Sequence, residues 1–182
     1  MIQIDQTTLY EKAKLIKLAV FDVDGVLTDG KLYLANDGNE MKSFHSRDGQ
    51  GLVMLRDSGC EIGVITARTS NIVNERMSAL GIKNIYQGVH DKSIAIQDLM
   101  QELKLKQDEV AYVGDDVIDL VAMQHAGLRF AVADAVSEVK DYAHWITEHK
   151  GGNGAAREVC EIILRGQGRY DDALKPYLPN QD

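Results

Sequence analysis

The apolar run Leu18-Ala19-Val20-Phe21 ends abruptly on Asp22-Val23-Asp24-Gly25-Val26. Two carboxylates set two residues apart, where a buried strand should give way to a loop, constrain this chain more than any other feature. An acid at such a place is costly unless it binds a cation or does chemistry. Other apolar runs end in the same way. Thr66 follows Ile62-Gly63-Val64-Ile65, Asp115-Asp116 follow Val110-Ala111-Tyr112-Val113-Gly114, and Lys92 comes shortly after Ile85-Tyr86. In an open parallel sheet the carboxyl ends of the strands converge on one crevice. The pattern therefore predicts one site that holds an acidic cluster, a hydroxyl and an ammonium group.

The periodicity supports such a sheet. A polar helix is expected over residues 5–14 and a first strand at 17–21. Helices follow from Asp48 to Ser58-Gly59 and near 70–79, 92–104 and 116–125. Strands fall near 62–65, 84–86, 110–113 and 128–132, with a short one at Trp145-Ile146 and a helix over Ala155–Leu164. Gly81 and Gly127 sit where helix C-terminal caps belong. Regular alternation of strand and helix gives βαβ units, hence an α/β fold: a three-layer, Rossmann-like parallel sheet with helices on both faces. Residues 1–165 read as one domain and 166–182 as a C-terminal tail, which holds both prolines and is either disordered or docked.

Only one insert interrupts the alternation. Asn36-Asp37-Gly38-Asn39 between short apolar-rich runs marks a hairpin at about residues 31–44. The gaps from Thr66 to Lys92 and from Lys92 to Asp115 each hold one helix and one strand, so neither has room for a lid domain. A lone hairpin is marginal in water. Leu32, Leu34, Met41 and Phe44 need a surface to bury against, and a homo-oligomer is expected to supply it.

With 182 residues the chain is long enough for one full core. A formal net charge of −8 argues against nucleic-acid or anionic-membrane partners. No 18-residue apolar stretch predicts a membrane span, and Met1-Ile2-Gln3-Ile4-Asp5 has no secretory character. Cys60 and Cys160 show no metal-like spacing and read as reduced thiols of a cytoplasmic protein.

Each candidate residue has a chemical and a structural reading. Asp22 is the candidate nucleophile: a carboxylate ionised at pH 7 can attack phosphorus without a base. Asp24 is the candidate general acid and base, or a turn residue capping its own backbone. Asp22 and Asp115, with a backbone carbonyl near Asp24, could hold a magnesium ion. Asp116 and Asp119 could support those ligands or serve as helix N-terminal acids. Thr66 could hydrogen-bond a phosphoryl oxygen, or simply end a strand. Lys92 stands at an expected helix start, where the macrodipole disfavours a cation unless a phosphate is bound. Arg47, Arg68 and Arg76 could grip a carboxylate or phosphate in bidentate fashion, or be surface charge.

Together these residues resemble the haloacid dehalogenase-like (HAD) phosphatase superfamily. Its four motifs match Asp22-Val23-Asp24-Gly25-Val26, Thr66, Lys92, and Gly114-Asp115-Asp116 with Asp119. Finer features are similar to one branch, the 3-deoxy-D-manno-octulosonate 8-phosphate (KDO 8-phosphate) phosphatases: Leu27-Thr28-Asp29-Gly30, Arg47-Asp48-Gly49, Ile65-Thr66-Ala67-Arg68, Tyr86-Gln87-Gly88 and the run Gly151–Val159. The resemblance implies a capless, magnesium-dependent homotetramer acting on a sugar-acid phosphate in lipopolysaccharide precursor synthesis. Its hairpins would pair into a central barrel and its tails reach neighbouring sites. By the family pattern, substrate would meet Asp24, His45, Ser46, Arg47, Asp48, Gly49, Arg68, Arg76 and Lys92. Gln50, Val53 and the acidic tail Tyr170–Asp182 depart from that pattern.

Two other functions fit part of the pattern. The same core could serve another sugar-acid phosphate, such as a nonulosonate 9-phosphate. Phospho-acceptor signalling domains also place an acceptor Asp, an acidic pair, a hydroxyl and a Lys on a parallel sheet. They carry the acidic pair before the acceptor, however, and lack an acid two residues after it. Asp24 favours turnover over storage.

Overall fold

The protein, described here by a computed structural model over residues 2–179, is built on one six-stranded parallel sheet. Its strands are β1 (Leu18–Phe21), β4 (Glu61–Ile65), β5 (Asn84–Tyr86), β6 (Val110–Gly114), β7 (Leu128–Ala131) and β8 (Trp145–Ile146), in the order β5-β4-β1-β6-β7-β8. Every residue of β1 and β6 is buried. That is the environment uninterrupted apolar runs require, because a central parallel strand is covered on both faces. The chain leaves β1 for β4 on one side and later returns to β6 on the other. The topological switch therefore lies at the carboxyl end of β1, where Asp22 stands.

Helices α1 (Gln6–Ala13), α2 (Ser46–Asp57) and α7 (Ala155–Gly166) pack together, and α4 (Lys92–Leu103) packs with the short α5 (Leu120–Met123). α3 (Asn71–Ala79) connects β4 to β5. Asp5 caps α1 by accepting the Thr8 N–H at 2.8 Å. α2 meets α7 at Gly51, where a Cβ would lie 2.9 Å from Arg157 Cδ and 3.0 Å from its Cα. Only glycine lets the two helices approach so closely.

Several elements differ from the sequence expectation. The helix expected over 116–125 is a 3₁₀ turn, Val117–Asp119, followed by α5. The Asp119 carboxylate accepts the Asp115 and Asp116 N–H groups and tightens that first turn. α6 (Ser137–Tyr142) was not legible, having one turn and a half and a single buried residue, Val139. Gly81 adopts the left-handed conformation of a cap, with φ 69°. Gly127 does not: a Cβ there would come 2.6 Å from Asp108 Cα, so close approach of the backbone, not capping, requires glycine.

The hairpin forms from β2 (Tyr33–Leu34) and β3 (Glu40–Met41), paired antiparallel. Leu34 and Met41 are 68 % and 65 % exposed, while Phe44 packs on the core of its own chain. Residues beyond 165 continue without a break. α8 (Tyr170–Leu174) lays Tyr170, Ala173 and Leu174 against the core, and Arg169 Nη1 donates to the Ser58 carbonyl at 2.7 Å. The last residues of the expected tail, 180–182, lie outside the described residues. Among the described residues no helix is long and apolar enough to cross a membrane.

One buried base ties β7 to the segment that enters β8. His144 Nδ1 accepts the Arg129 N–H at 3.1 Å, and its ring lies beside the Arg129 guanidinium. Burial, then the charges of Arg129 and Lys12, push the imidazole down to about 4. Folding therefore favours the neutral ring. Its contribution is complete above the unfolded value near 6.5 and is lost as pH falls toward 4. Urea midpoints measured from pH 7 to pH 4 are expected to fall more steeply for the parent than for His144→Asn. Parallel curves would show that His144 stays neutral for no energetic reason.

Candidate active site

Four segments meet at the switch point. Asp22 follows β1 in extended conformation, and its N–H donates to the Val113 carbonyl at 3.2 Å. The chain then turns tightly through Gly25, with φ 100°. A Cβ on Gly25 would overlap the Asp115 carboxylate, so the turn needs glycine for both its dihedral and its clearance. Thr28 ties the turn together by donating its hydroxyl to the Val23 carbonyl at 3.2 Å. From the far side, Gly152 N–H donates to the Val26 carbonyl at 2.8 Å, and Gly151 leaves no room for a Cβ against the Gly25 carbonyl.

Lys92 opens α4 and is fully buried. Its Nζ lies 2.7 Å from Asp119 Oδ1 and 2.9 Å from Asp22 Oδ1, and it hydrogen-bonds to the Asp119 oxygen. Burial alone would lower the ammonium, but the Asp22 and Asp119 charges outweigh it and hold Lys92 above its usual value. Asp119 is saturated: Oδ1 also accepts the Tyr112 hydroxyl at 2.8 Å, and Oδ2 accepts the Asp115 N–H at 2.9 Å. Asp116, exposed, caps the 3₁₀ turn through Val117 N–H at 2.7 Å. Thr66, buried at the end of β4, turns its hydroxyl oxygen toward the Arg68 N–H at 3.4 Å.

Asp22, Asp115 and Asp119 bring carboxylate oxygens within 4.8 Å of one another. Asp22 Oδ1 and Asp115 Oδ1 are both buried; the Lys92 ammonium stands 2.9 Å from the first, and the second has no hydrogen-bond partner among the described residues. A buried, unpartnered oxygen on one of three clustered carboxylates fits a divalent cation such as magnesium. The fully satisfied Asp119 fits the position behind the ligands instead. Asp24 contributes no carboxylate to this cluster, which leaves its backbone carbonyl as its route to a cation. Burial, reinforced by Asp119, pushes Asp22 up to about 7 against the pull of Lys92, and burial with Asp119 and Asp22 pushes Asp115 up to about 8. The expected freely ionised nucleophile is thus a desolvated one, whose charge depends on Lys92 and on a cation.

A cleft of about 260 Å³ over this cluster is lined by Asp22, Asp24, Thr66, Arg68, Asp115 and Asp116, with Leu32 and Ile118 among its apolar walls. Arg68 Nε stands 3.9 Å from Asp24 Oδ2, and its Nη2 is 3.1 Å from Glu40. The remaining residues matched for substrate lie elsewhere in this chain. His45 caps α2, Ser46 is that helix's first residue, and Arg47 and His45 line a separate cavity beside α7. Asp48 faces away from the cleft: its two oxygens accept the Gly154 and Arg157 N–H groups at 3.2 and 2.8 Å and cap α7. Gly49 makes room for the Arg76 guanidinium, outside the cleft. One residue beside the cleft is not singled out by the sequence: Lys42, whose side chain is 2 % exposed and pairs with Glu40 and with Asp24 of the cleft lining. The signal was present in the alternation Glu40-Met41-Lys42, which sends two charges to the same face.

Comparison with known proteins gives this geometry a lineage. Residues 65–159 match the family model for haloacid dehalogenase-like hydrolases. The chain is 44 % identical to 3-deoxy-D-manno-octulosonate 8-phosphate phosphatase KdsC of Salmonella typhi, over 92 % of this chain and 89 % of that protein. It is 45 % identical to the Escherichia coli K12 protein of the same name, over 89 % and 86 % of the two chains. The crystal structure of the Moraxella catarrhalis phosphatase, in complex with magnesium, phosphate and KDO, superposes with a TM-score of 0.93 at 40 % identity, covering 96 % of this chain and 100 % of that one. With its parallel sheet, its acid-lined switch point and these relatives, the chain belongs to the haloacid dehalogenase-like hydrolase family, as a phosphatase similar to the KDO 8-phosphate phosphatases.

Proposed function

We propose that the protein hydrolyses KDO 8-phosphate to KDO and phosphate through an aspartyl-phosphate on Asp22, with magnesium as cofactor. The observation that carries this reading is the cluster of Asp22, Asp115 and Asp119 carboxylates around the buried Lys92, with Asp115 Oδ1 left unbonded. Relatives at more than 40 % identity carry the KDO 8-phosphate phosphatase name, and the Moraxella protein holds magnesium, phosphate and KDO. A bound magnesium ion would draw the charge of the carboxylates and of the phosphoryl group together.

The residues divide the work. Asp22, held by Lys92, attacks phosphorus as the bond to the sugar oxygen breaks. Asp24 gives that oxygen a proton, then takes one from the water that attacks the phosphoryl-enzyme. Thr66 and Lys92 donate to phosphoryl oxygens whose charge grows in the transition state. Arg68, half exposed at the rim, suits a substrate carboxylate. The exposed Leu32, Tyr33, Leu34 and Met41 support assembly into a homotetramer through the hairpins, and the free thiols of Cys60 and Cys160 suit the cytoplasm.

Asp22→Asn should lower turnover roughly 10⁴-fold or more in a chain that still folds cooperatively, with a Tm lowered by the loss of one Lys92 partner. Retained phosphate release would reject Asp22 as the nucleophile. Chelation by EDTA should stop phosphate release, and added magnesium should restore it. Magnesium should also raise Tm, since saturation at a hundred times Kd stabilises by about 2.7 kcal/mol. Full turnover in EDTA, or a Tm blind to magnesium, would remove the cation from the site. A phosphate-release screen should favour KDO 8-phosphate over nonulosonate 9-phosphates and simple sugar phosphates. Preference for a nine-carbon acid would transfer the proposal to that substrate.

A further inference from the structure

The hairpin sets a buried charge beside exposed apolar residues. Its apolar residues Leu34 and Met41 face solvent at 68 % and 65 % exposure, while the Lys42 side chain just past β3 is 2 % exposed. Burying an ammonium is unfavourable unless it is paired. Lys42 has two partners: it donates a hydrogen bond to Asp24 Oδ1 and lies 3.4 Å from Glu40 Oε1. Glu40 Oε1 in turn accepts from Arg68 Nη2 at 3.1 Å. The hairpin is thereby fastened to the turn after β1 through a carboxylate that the proposed mechanism uses.

The two oxygens of Asp24 are not equivalent. Oδ1 is held by Lys42. Oδ2 is buried and accepts no hydrogen bond among the described residues; Arg68 Nε, at 3.9 Å, faces it from the lining of the same cleft. A carboxylate that serves as both acid and base needs one oxygen free for the proton and the other fixed, so that the free one stays aimed. We infer that Lys42 is the positioning residue for Asp24: it holds Oδ1 and thereby presents Oδ2 for proton transfer, so that the hairpin sets the geometry of the acid–base step. This rests on the phosphatase reading above.

The proton balance is explicit. As Asp22 oxygen bonds to phosphorus, the ester P–O bond breaks and its electron pair goes to the leaving alkoxide, which takes the proton from Asp24 Oδ2. Water then bonds to phosphorus and gives its proton to Oδ2, and the P–O bond to Asp22 breaks with its pair returning to the carboxylate. Without Lys42, Asp24 rotates freely and both transfers suffer, whereas attack by Asp22 does not. Leaving-group dependence separates the two.

The test uses the full chain with magnesium and compares Lys42→Met with Lys42→Arg. Substrates are p-nitrophenyl phosphate, whose leaving group needs no proton, and KDO 8-phosphate, a primary alkyl ester. For Lys42→Met, kcat on the alkyl ester should fall about 10²–10³-fold. The first-turnover burst of p-nitrophenolate should persist within about threefold and be followed by a slow steady state. Lys42→Arg should recover most of the alkyl rate, and Glu40→Gln, which loosens Lys42 without removing it, should show the same pattern more weakly. Equal slowing of burst and steady state on both substrates, or no change on either, overturns the assignment. If the parent enzyme releases no phosphate from either ester, the phosphatase reading itself fails, a different result from equal slowing in an active background.

Discussion

The structure turns on one buried ammonium. Lys92 is fully enclosed at the first residue of α4, where the helix dipole opposes a cation. It is tolerable there only because Asp22 and Asp119 stand within 3 Å. Removing one partner of such a buried pair typically costs about 3–5 kcal/mol, since the survivor is left as an uncompensated charge. Asp119 holds more than Lys92: its two oxygens also take the Tyr112 hydroxyl and the N–H groups of the turn that carries Asp115. One side chain thus fixes the cation, the strand end and the acidic turn together. The local count is three carboxylates against one ammonium, an excess of two negative charges when all are ionised. A dication balances that excess, and without one the burial pushes Asp22 and Asp115 toward their neutral forms.

The sheet order explains why residues far apart in sequence can meet at all. β1 is flanked by β4 and β6 in parallel, so Asp22, Thr66 and Asp115 emerge from three adjacent strand ends on one side of the sheet. The positions are enforced by absent side chains as much as by present ones. Gly25 clears the Asp115 carboxylate, and Gly151 clears the Gly25 carbonyl, so the turn carrying Asp24 is clamped between the acidic loop and the loop before α7. Asp48 holds that second loop by capping α7, a role at a distance from the chemistry.

These relations also show what could be read from the chain and what could not. The strands and the convergence of Asp22, Thr66, Lys92 and Asp115 were legible because a buried parallel strand writes itself as an unbroken apolar run with a polar end. α6 and the 3₁₀ turn at Val117–Asp119 were not, because a helix with one buried residue, or a single turn shaped by the Asp119 hydrogen bonds, leaves no periodicity. The inward charge of Lys42 escaped for a related reason. Alternation along a short hairpin tells which residues share a face, but not which of them reach the protein: Glu40 shares a face with Leu34, yet Glu40 pairs with Lys42 and Arg68 while Leu34 stays exposed. Arg47-Asp48-Gly49 read as a substrate motif from its likeness to relatives. In the chain Asp48 and Gly49 serve helix packing, while Arg47 borders another cavity.

The missing lid raises a physical problem that the hairpin bears on. Phosphoryl transfer is driven by positioning and by fixed charges, and both weaken where water enters freely. No inserted domain covers the cleft, and the two-stranded ribbon is too small to exclude water by bulk. It contributes charge instead. Lys42 and Glu40 extend the alternating network from Asp24 to Arg68, so the proposed acid–base residue and the rim arginine share one set of ion pairs. A substrate anion that draws Arg68 from Glu40 perturbs the same network that holds Asp24. In the proposed mechanism, recognition at the rim and proton transfer at the floor would be coupled through Arg68, Glu40 and Lys42. Leu34 and Met41, on opposite faces of the ribbon, are both exposed, so a neighbouring subunit that covered them would stiffen the element that carries Lys42.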